Sequence, residues 1–356
     1  MKYFINNYLF LLLITASGSV VTTYSMEESL SEETSSEQTS SEDISSELPL
    51  ESSVEINFKP SKEIQTDKDL HIAALSSDGK LILTGSEKGR VGLWNSETGE
   101  SLLDFQAHRS AISSIEFSLD TKFILTRSFN DKTVALWDLK TGALVREFTE
   151  DVGPIYSAVL SPDSRTVLTG TTYGAAVLRD VASGSVLKTF KSDNADGLEF
   201  ALTLAFSPTG KTILVGLNTG SSLLWDVETG TELHRLKSQI DDIIRAAFSS
   251  DGKLVLTGSL YGTTRLWNVE TGVQQTKFQG PGVGVEVVAF NQDDTIVFSG
   301  VDEKAFFWEA ATGKLLQKLR TEPRMLWIAS NPYGNSVLTA SFATGKIVIW
   351  KNEPIS

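Results

Sequence analysis

Three histidines, His71, His108 and His234, are the first side chains to suspect of general-base chemistry or metal ligation. They lie far apart along the chain, and none has a second ligand at metal-site spacing. Cysteine is absent, which removes disulfides, thiolate metal sites, cysteine nucleophiles and an acylated lipoprotein cysteine. The chain also lacks a Gly-x-Ser-x-Gly elbow, a His-Glu-x-x-His helix, a phosphate loop and a dinucleotide fingerprint. Gly280-Pro281-Gly282-Val283-Gly284 is glycine-rich but has no strand-to-helix context, so it reads as a flexible turn. Two glutamates remain, Glu116 and Glu286, which could serve as a hydrolytic acid and base if the fold brought them together.

What positions these residues is a repeat of about 42 residues, marked by three landmarks. The first is a turn similar to Ser-Pro-Asp-Gly-Lys, beginning at Ser76, Ser118, Ser161, Ser207, Ser249, Asn291 and Asn331. The second is an apolar stretch ending in Thr-Gly-Ser or a variant of it, as in Leu83-Thr84-Gly85-Ser86 and Leu256-Thr257-Gly258-Ser259. The third is an alternating run that ends at Trp94, Trp137, Trp225, Trp267, Trp308 and Trp350, with Arg179 in the third copy. Between landmarks lie short segments of alternating polarity, such as 112–117, 122–128, 133–137 and 143–148. Period-two segments separated by Gly, Pro, Asp and Ser turns are strands, and four per repeat make one propeller blade. The turns fall too often to leave room for the helices of a helical solenoid.

These motifs resemble the WD-repeat (WD40) family over about residues 54–350. The resemblance implies an all-β, seven-bladed propeller of four-stranded antiparallel blades. It also implies that the tryptophans are structural, wedged between blades, and that a His, a Ser or Thr, an Asp and the Trp share a buried hydrogen-bond network. Only the second repeat carries the full set, as His108, Asp131, Trp137 and one of Thr126 or Ser128. Asp302 keeps the Asp position in the sixth, where Pro281 replaces the His. The repeats are therefore degenerate. Arg179 cannot fill a tryptophan's place, so the third blade is expected to be looser or to pair Arg179 with a carboxylate such as Asp180. On a propeller, Glu116 and Glu286 fall on first strands, where solvating the channel mouth is their expected role.

The last repeat ends six residues after Trp350, leaving a strand edge uncovered. Val54-Glu55-Ile56-Asn57-Phe58 alternates like a strand and is the expected clasp; strict register would place the clasp at 58–64, where Pro60 argues against it.

The formal charge is −14, and the stretch from Glu27 to Glu51 holds no Lys or Arg. The remainder is mildly acidic and has no basic stripe, so nucleic acid is excluded as a partner. Lys2 followed by the apolar run from Tyr8 to Ala16 predicts a signal peptide over 1–18, with cleavage after Gly18 or, second, after Ser25. The run is short for a bilayer span, and a signal-anchored chain is the alternative. Residues 19–53 are dominated by Ser, Thr and Glu and are expected to form a disordered, self-repelling tether. No Asn-x-Ser/Thr sequon occurs. These features define three regions, a signal peptide (1–18), an acidic linker (19–53) and the propeller (54–356), with a secreted or periplasmic address.

Recognition is expected on loops. In the repeat register, Phe129, Tyr173, Tyr261 and Phe342 occupy turns between second and third strands, and Arg109, Arg245 and Trp327 lie at or before first strands. Exposed aromatics beside Arg are favoured at interface centres. The longest insertion, 191–200, carries Asp193, Asp196 and Glu199 and could reach over the same face. The expected function is an exported, non-catalytic scaffold for a protein or peptide, monomeric, without cofactor or metal. Carbohydrate or cell-envelope binding by that face is the alternative, and a channel-mouth carboxylate hydrolase is a third reading.

Overall fold

Among the described residues, the turns of the Ser-Pro-Asp-Gly-Lys type are closed by their own side chains. In the computed structural model, Ser76 Oγ donates to Asp78 Oδ1 at 2.7 Å and accepts from the Leu81 amide at 2.9 Å, while Asp78 accepts from the Lys80 amide. The Ser76 hydroxyl and the Lys80 amide hold the Asp78 carboxyl below its ordinary range. The arrangement recurs at Ser118 with Asp120, Ser161 with Asp163 and Ser249 with Asp251. The fourth turn position is left-handed, at φ 73° for Gly79 and 71° for Gly252, yet Thr121, Ser164 and Asp294 adopt it at 55–60°. Side-chain bonding in the turn holds these three in a conformation that favours glycine.

The structure describes residues 56–66, 69–149, 154–191, 199–237, 242–280, 284–285, 287–301, 304–320, 325–330, 336–341 and 344–352. The expected signal peptide, the whole of the linker, Asp193, Asp196, Pro281, Glu286, Asp302 and Phe342 lie outside them. Among the described residues no helix is long and apolar enough to cross a membrane.

Among the described residues, twenty-eight strands form seven four-stranded antiparallel sheets. The first strands of the blades are β2 (Leu70–Leu75), β6 (Ser114–Phe117), β10 (Ser157–Leu160), β14 (Ala201–Phe206), β18 (Ile243–Phe248), β22 (Val287–Phe290) and β26 (Met325–Ser330). Each of the first six is followed by three more strands of its own blade in order, β26 by two, and each first strand touches the first strands on either side, β26 closing onto β2. This is a seven-bladed propeller, as the repeat predicts.

The clasp differs from the expected segment. β1 (Phe58–Gln65) pairs with β28 (Lys346–Asn352) as the outer strand of the last blade, so register prevails over alternation. Pro60 is tolerated because the strand is an edge and shifts register between Pro60 and Lys62. Phe58 anchors the clasp, its ring 4.6 Å from Phe307 and its amide bonded to Gln317 of blade six.

Cohesion lies in the seams. Seven clusters of buried side chains each join two neighbouring blades, as where Leu168 and Phe190 of blade three meet Ile213 and Trp225 of blade four. Outer-strand phenylalanines reach the next blade's indole: Phe105 to Trp137 at 5.1 Å, Phe190 to Trp225 and Phe278 to Trp308 at 6.0 Å. A polar tie accompanies them at the third outer-strand position. Arg146, Lys188, His234 and Thr276 each hydrogen-bond carbonyls in a turn of the following blade, at Ala182, Val227, Glu270 and Ala310. His234 is one of these seam ties.

Candidate binding site at the loop face and channel mouth

Antiparallel order puts every turn between second and third strands on the same face as the starts of the first strands. Tyr173 and Tyr261 project from two of these turns and are 46% and 63% exposed. Tyr173 holds φ at 63°, a strained value for a non-glycine residue. Arg109 is also exposed, and its amide is held by Asp131 Oδ2 at 2.7 Å. Phe129 is half-buried, with its ring 5.8 Å from Tyr156, which stacks in turn on Phe200 at 5.0 Å. These three rings line the seam from blade two to blade four. The Tyr156 hydroxyl is buried without a hydrogen-bond partner, and burial raises its pKa. Trp327 lies on β26 opposite Ala340. The structure thus gathers Arg109, Phe129, Tyr173 and Tyr261 on one face.

The end of the insertion folds down instead of reaching outward. Phe200 bridges Thr172, Gly174 donates its amide to the Glu199 carbonyl, and the Glu199 side chain is buried.

Beneath the face, His108 is buried and bound through both ring nitrogens. Thr126 Oγ1 donates to the Ala135 carbonyl and lies 2.7 Å from His108 Nε2 and 2.8 Å from Trp137 Nε1. Accepting from both rings, it assigns the Nε2–H tautomer and leaves Nδ1 to accept from Thr133 at 3.1 Å. Asp131 stands 3.8 Å from Nδ1 and is engaged with the Arg109 and Ser110 amides. Burial lowers the His108 pKa despite that carboxylate. A neutral, fully bonded imidazole has no free nitrogen for a substrate or metal, and no cluster of three ligands occurs among the described residues. Indoles elsewhere use the same hydroxyl: Trp94 bonds Thr84, Trp267 bonds Thr257, Trp308 bonds Ser299 and Trp350 bonds Thr339. In blade three, Asp180 is engaged by Ser183, and the strands keep their pairing without an indole.

The channel mouth carries charge. Arg127, near the end of the second strand of blade two, donates from Nη1 to the Ile155 carbonyl of blade three at 3.0 Å. Burial, with the nearby charge of Arg245, pushes its pKa down to about 10. Arg245 is the third residue of the inner strand of blade five, just past a register shift, and its Nη1 donates to the Ile244 carbonyl. Blades two and five are not neighbours, so the charge of Arg245 acts on Arg127 across the ring.

Deeper on the inner strand of blade two, Glu116 does not face open water. Its carboxylate accepts the Leu160 amide of blade three at 2.7 Å, and burial raises its pKa to about 7. Arg127 escaped the sequence reading although it breaks the pattern, since Leu125-Thr126-Arg127-Ser128 places Arg where Leu83-Thr84-Gly85-Ser86 has Gly.

A family model described as "WD domain, G-beta repeat" matches residues 61–95, 99–138 and 230–268. The chain carries WD40 repeats. Among curated proteins it is similar to the eukaryotic translation initiation factor 3 subunit I of Eremothecium gossypii, 33% identical over 32% of this chain and 32% of that protein. The protein of the same name from Aspergillus oryzae is 32% identical over 36% of this chain and 37% of its own length. Human WD repeat and SOCS box-containing protein 1 is 30% identical over 26% and 23%. The matched stretches span well under half of each relative.

Proposed function

We propose that the chain is an exported, non-catalytic scaffold whose loop face captures a protein or peptide, and that all seven blades are WD40 repeats with degenerate polar signatures. The observation that carries this reading is the pair Tyr173 and Tyr261, large aromatics held out on one face of a closed ring. Rigid amphipathic side chains lose little entropy on contact, and a closed propeller presents them already placed. A relative named as a subunit works, by that name, within an assembly, and the proposal extends that manner of working to this chain. Export rests on Lys2, the apolar run from Tyr8 to Ala16 and the small residues after it. The acidic surface disfavours nucleic acid as the partner.

Affinity capture from the exported fraction tests the reading. One protein partner should co-purify with the parent and be lost when Tyr173, Tyr261 and Arg109 become Ala. Undiminished capture by that variant, or retention on envelope polysaccharide in place of a protein, contradicts it. Mass spectrometry of the exported chain should find a mature N-terminus at residue 19; an intact residue 1 contradicts cleavage.

A further inference from the structure

One rung of the repeat is occupied differently in blades two and five. The second-strand residue after Leu-Thr or its equivalent faces one residue of the first strand: Gly85 faces Ile72, Gly170 faces Ser157, Gly216 faces Thr203, Gly300 faces Val287 and Ala340 faces Trp327. The position is small for a reason. A Cβ would lie 2.6 Å from an Ile72 methyl at Gly85, 2.6 Å from the Ala201 carbonyl at Gly170 and 2.5 Å from a Thr203 methyl at Gly216. Blade two places Arg127 there, opposite Ser114, and blade five places Arg245 on the facing strand, opposite Gly258. Packing does not call for either cation.

Arg127 has no acidic partner among the described residues, and its one protein acceptor is the Ile155 carbonyl on Nη1. Its Nε is buried and donates to nothing. Nε–H and the adjacent Nη2–H form the side edge of the guanidinium, two parallel donors spaced for the two oxygens of a carboxylate. Arg245 brings a second positive charge to the same space, and a channel with low-dielectric walls concentrates that field on an entering anion. We propose that the channel mouth between Arg127 and Arg245 seats a carboxylate, bound on the unsatisfied Nε–Nη2 edge of Arg127 and supplied by an acidic side chain of the partner. The identity of the donor rests on the loop-face reading, whereas the seat itself belongs to the two arginines.

The test uses the full chain labelled with ¹⁵N, with the Arg127 Nε–H resonance assigned by its loss in Arg127→Lys. Glutarate and, separately, inorganic phosphate are titrated at ionic strength held constant with sodium chloride. Glutarate should move that resonance along a saturable curve, and chloride should leave it in place. In Arg127→Lys, which keeps the charge but not the fork, glutarate binding followed at the Arg245 Nε–H should weaken at least fivefold. A resonance that never saturates, or equal glutarate binding by the two proteins, overturns the seat; saturation by phosphate alone overturns its assignment to a carboxylate. Glutarate needs no loop-face contact, so Tyr173→Ala/Tyr261→Ala should retain the curve. Retention of that curve together with failure of partner capture by the parent protein would sink the scaffold reading and leave the seat standing.

Discussion

Blades two and four share a backbone and differ in their polar interiors. In blade two, Thr126 ties His108 to Trp137. In blade four, Val215 stands at the equivalent position, so Trp225 has no hydroxyl there and packs against Phe190. The second and third strands pair in the same register in both. A complete polar network is thus an addition to the blade and not its foundation, which lies in seam packing and turn chemistry.

The comparison can be broken most severely at the ring closure. Deleting 58–65 uncovers the outer edge of blade seven and removes Phe58 from its contacts with Phe298 and Phe307. Loss of about 5 kcal/mol or more is expected, enough to abolish cooperative melting in calorimetry. A truncated chain that melts like the parent would show that blades hold without closure. Within blade two, Thr126→Val orphans both the imidazole and the indole and should cost about 2–3 kcal/mol in urea denaturation. The reverse change in blade four, Val215→Thr, supplies an acceptor at the equivalent position, for a gain of about 0.5–1 kcal/mol. Equal effects of the two would mean that the network has no cooperative value.

Between these in size is a pH effect. The folded pKa of Glu116, about 7, lies above the ordinary 4.5, so the contribution of its protonated form is fully present below pH 4.5 and is lost as pH rises through 7. The loss is on the order of 3 kcal/mol. Glu116→Gln should flatten stability across that window; an unchanged profile would place the titration elsewhere.

How much of this was legible in sequence follows from what repeats. Turn chemistry and apolar alternation recur, so the blade count and strand boundaries are read directly; segment 122–128, for instance, is realised as Phe123–Ser128. The clasp lies at 58–65 and not at 54–58 because Pro60 is no bar to an edge strand, which needs only half its amides. Spacing offers either Thr126 or Ser128 to His108 and Trp137, and that Thr126 takes both rings, that Thr133 partners Nδ1 and that Asp131 turns toward backbone amides depend on rotamers that spacing does not specify. Glu116 was expected at water because the cross-blade Leu160 amide has no sequence signal. Arg127 did have one, as an arginine in a glycine's place, and aligning the repeats column by column exposes it.

The central claim is that the face bearing the turns between second and third strands does the work of recognition. Hydrogen exchange of the full chain with and without its captured partner tests it most directly. Protection should concentrate on segments 127–132, 171–175 and 259–263, with the opposite turns at 76–80, 118–122 and 249–253 unchanged. Protection of those opposite turns, or of the outer strands alone, would contradict it.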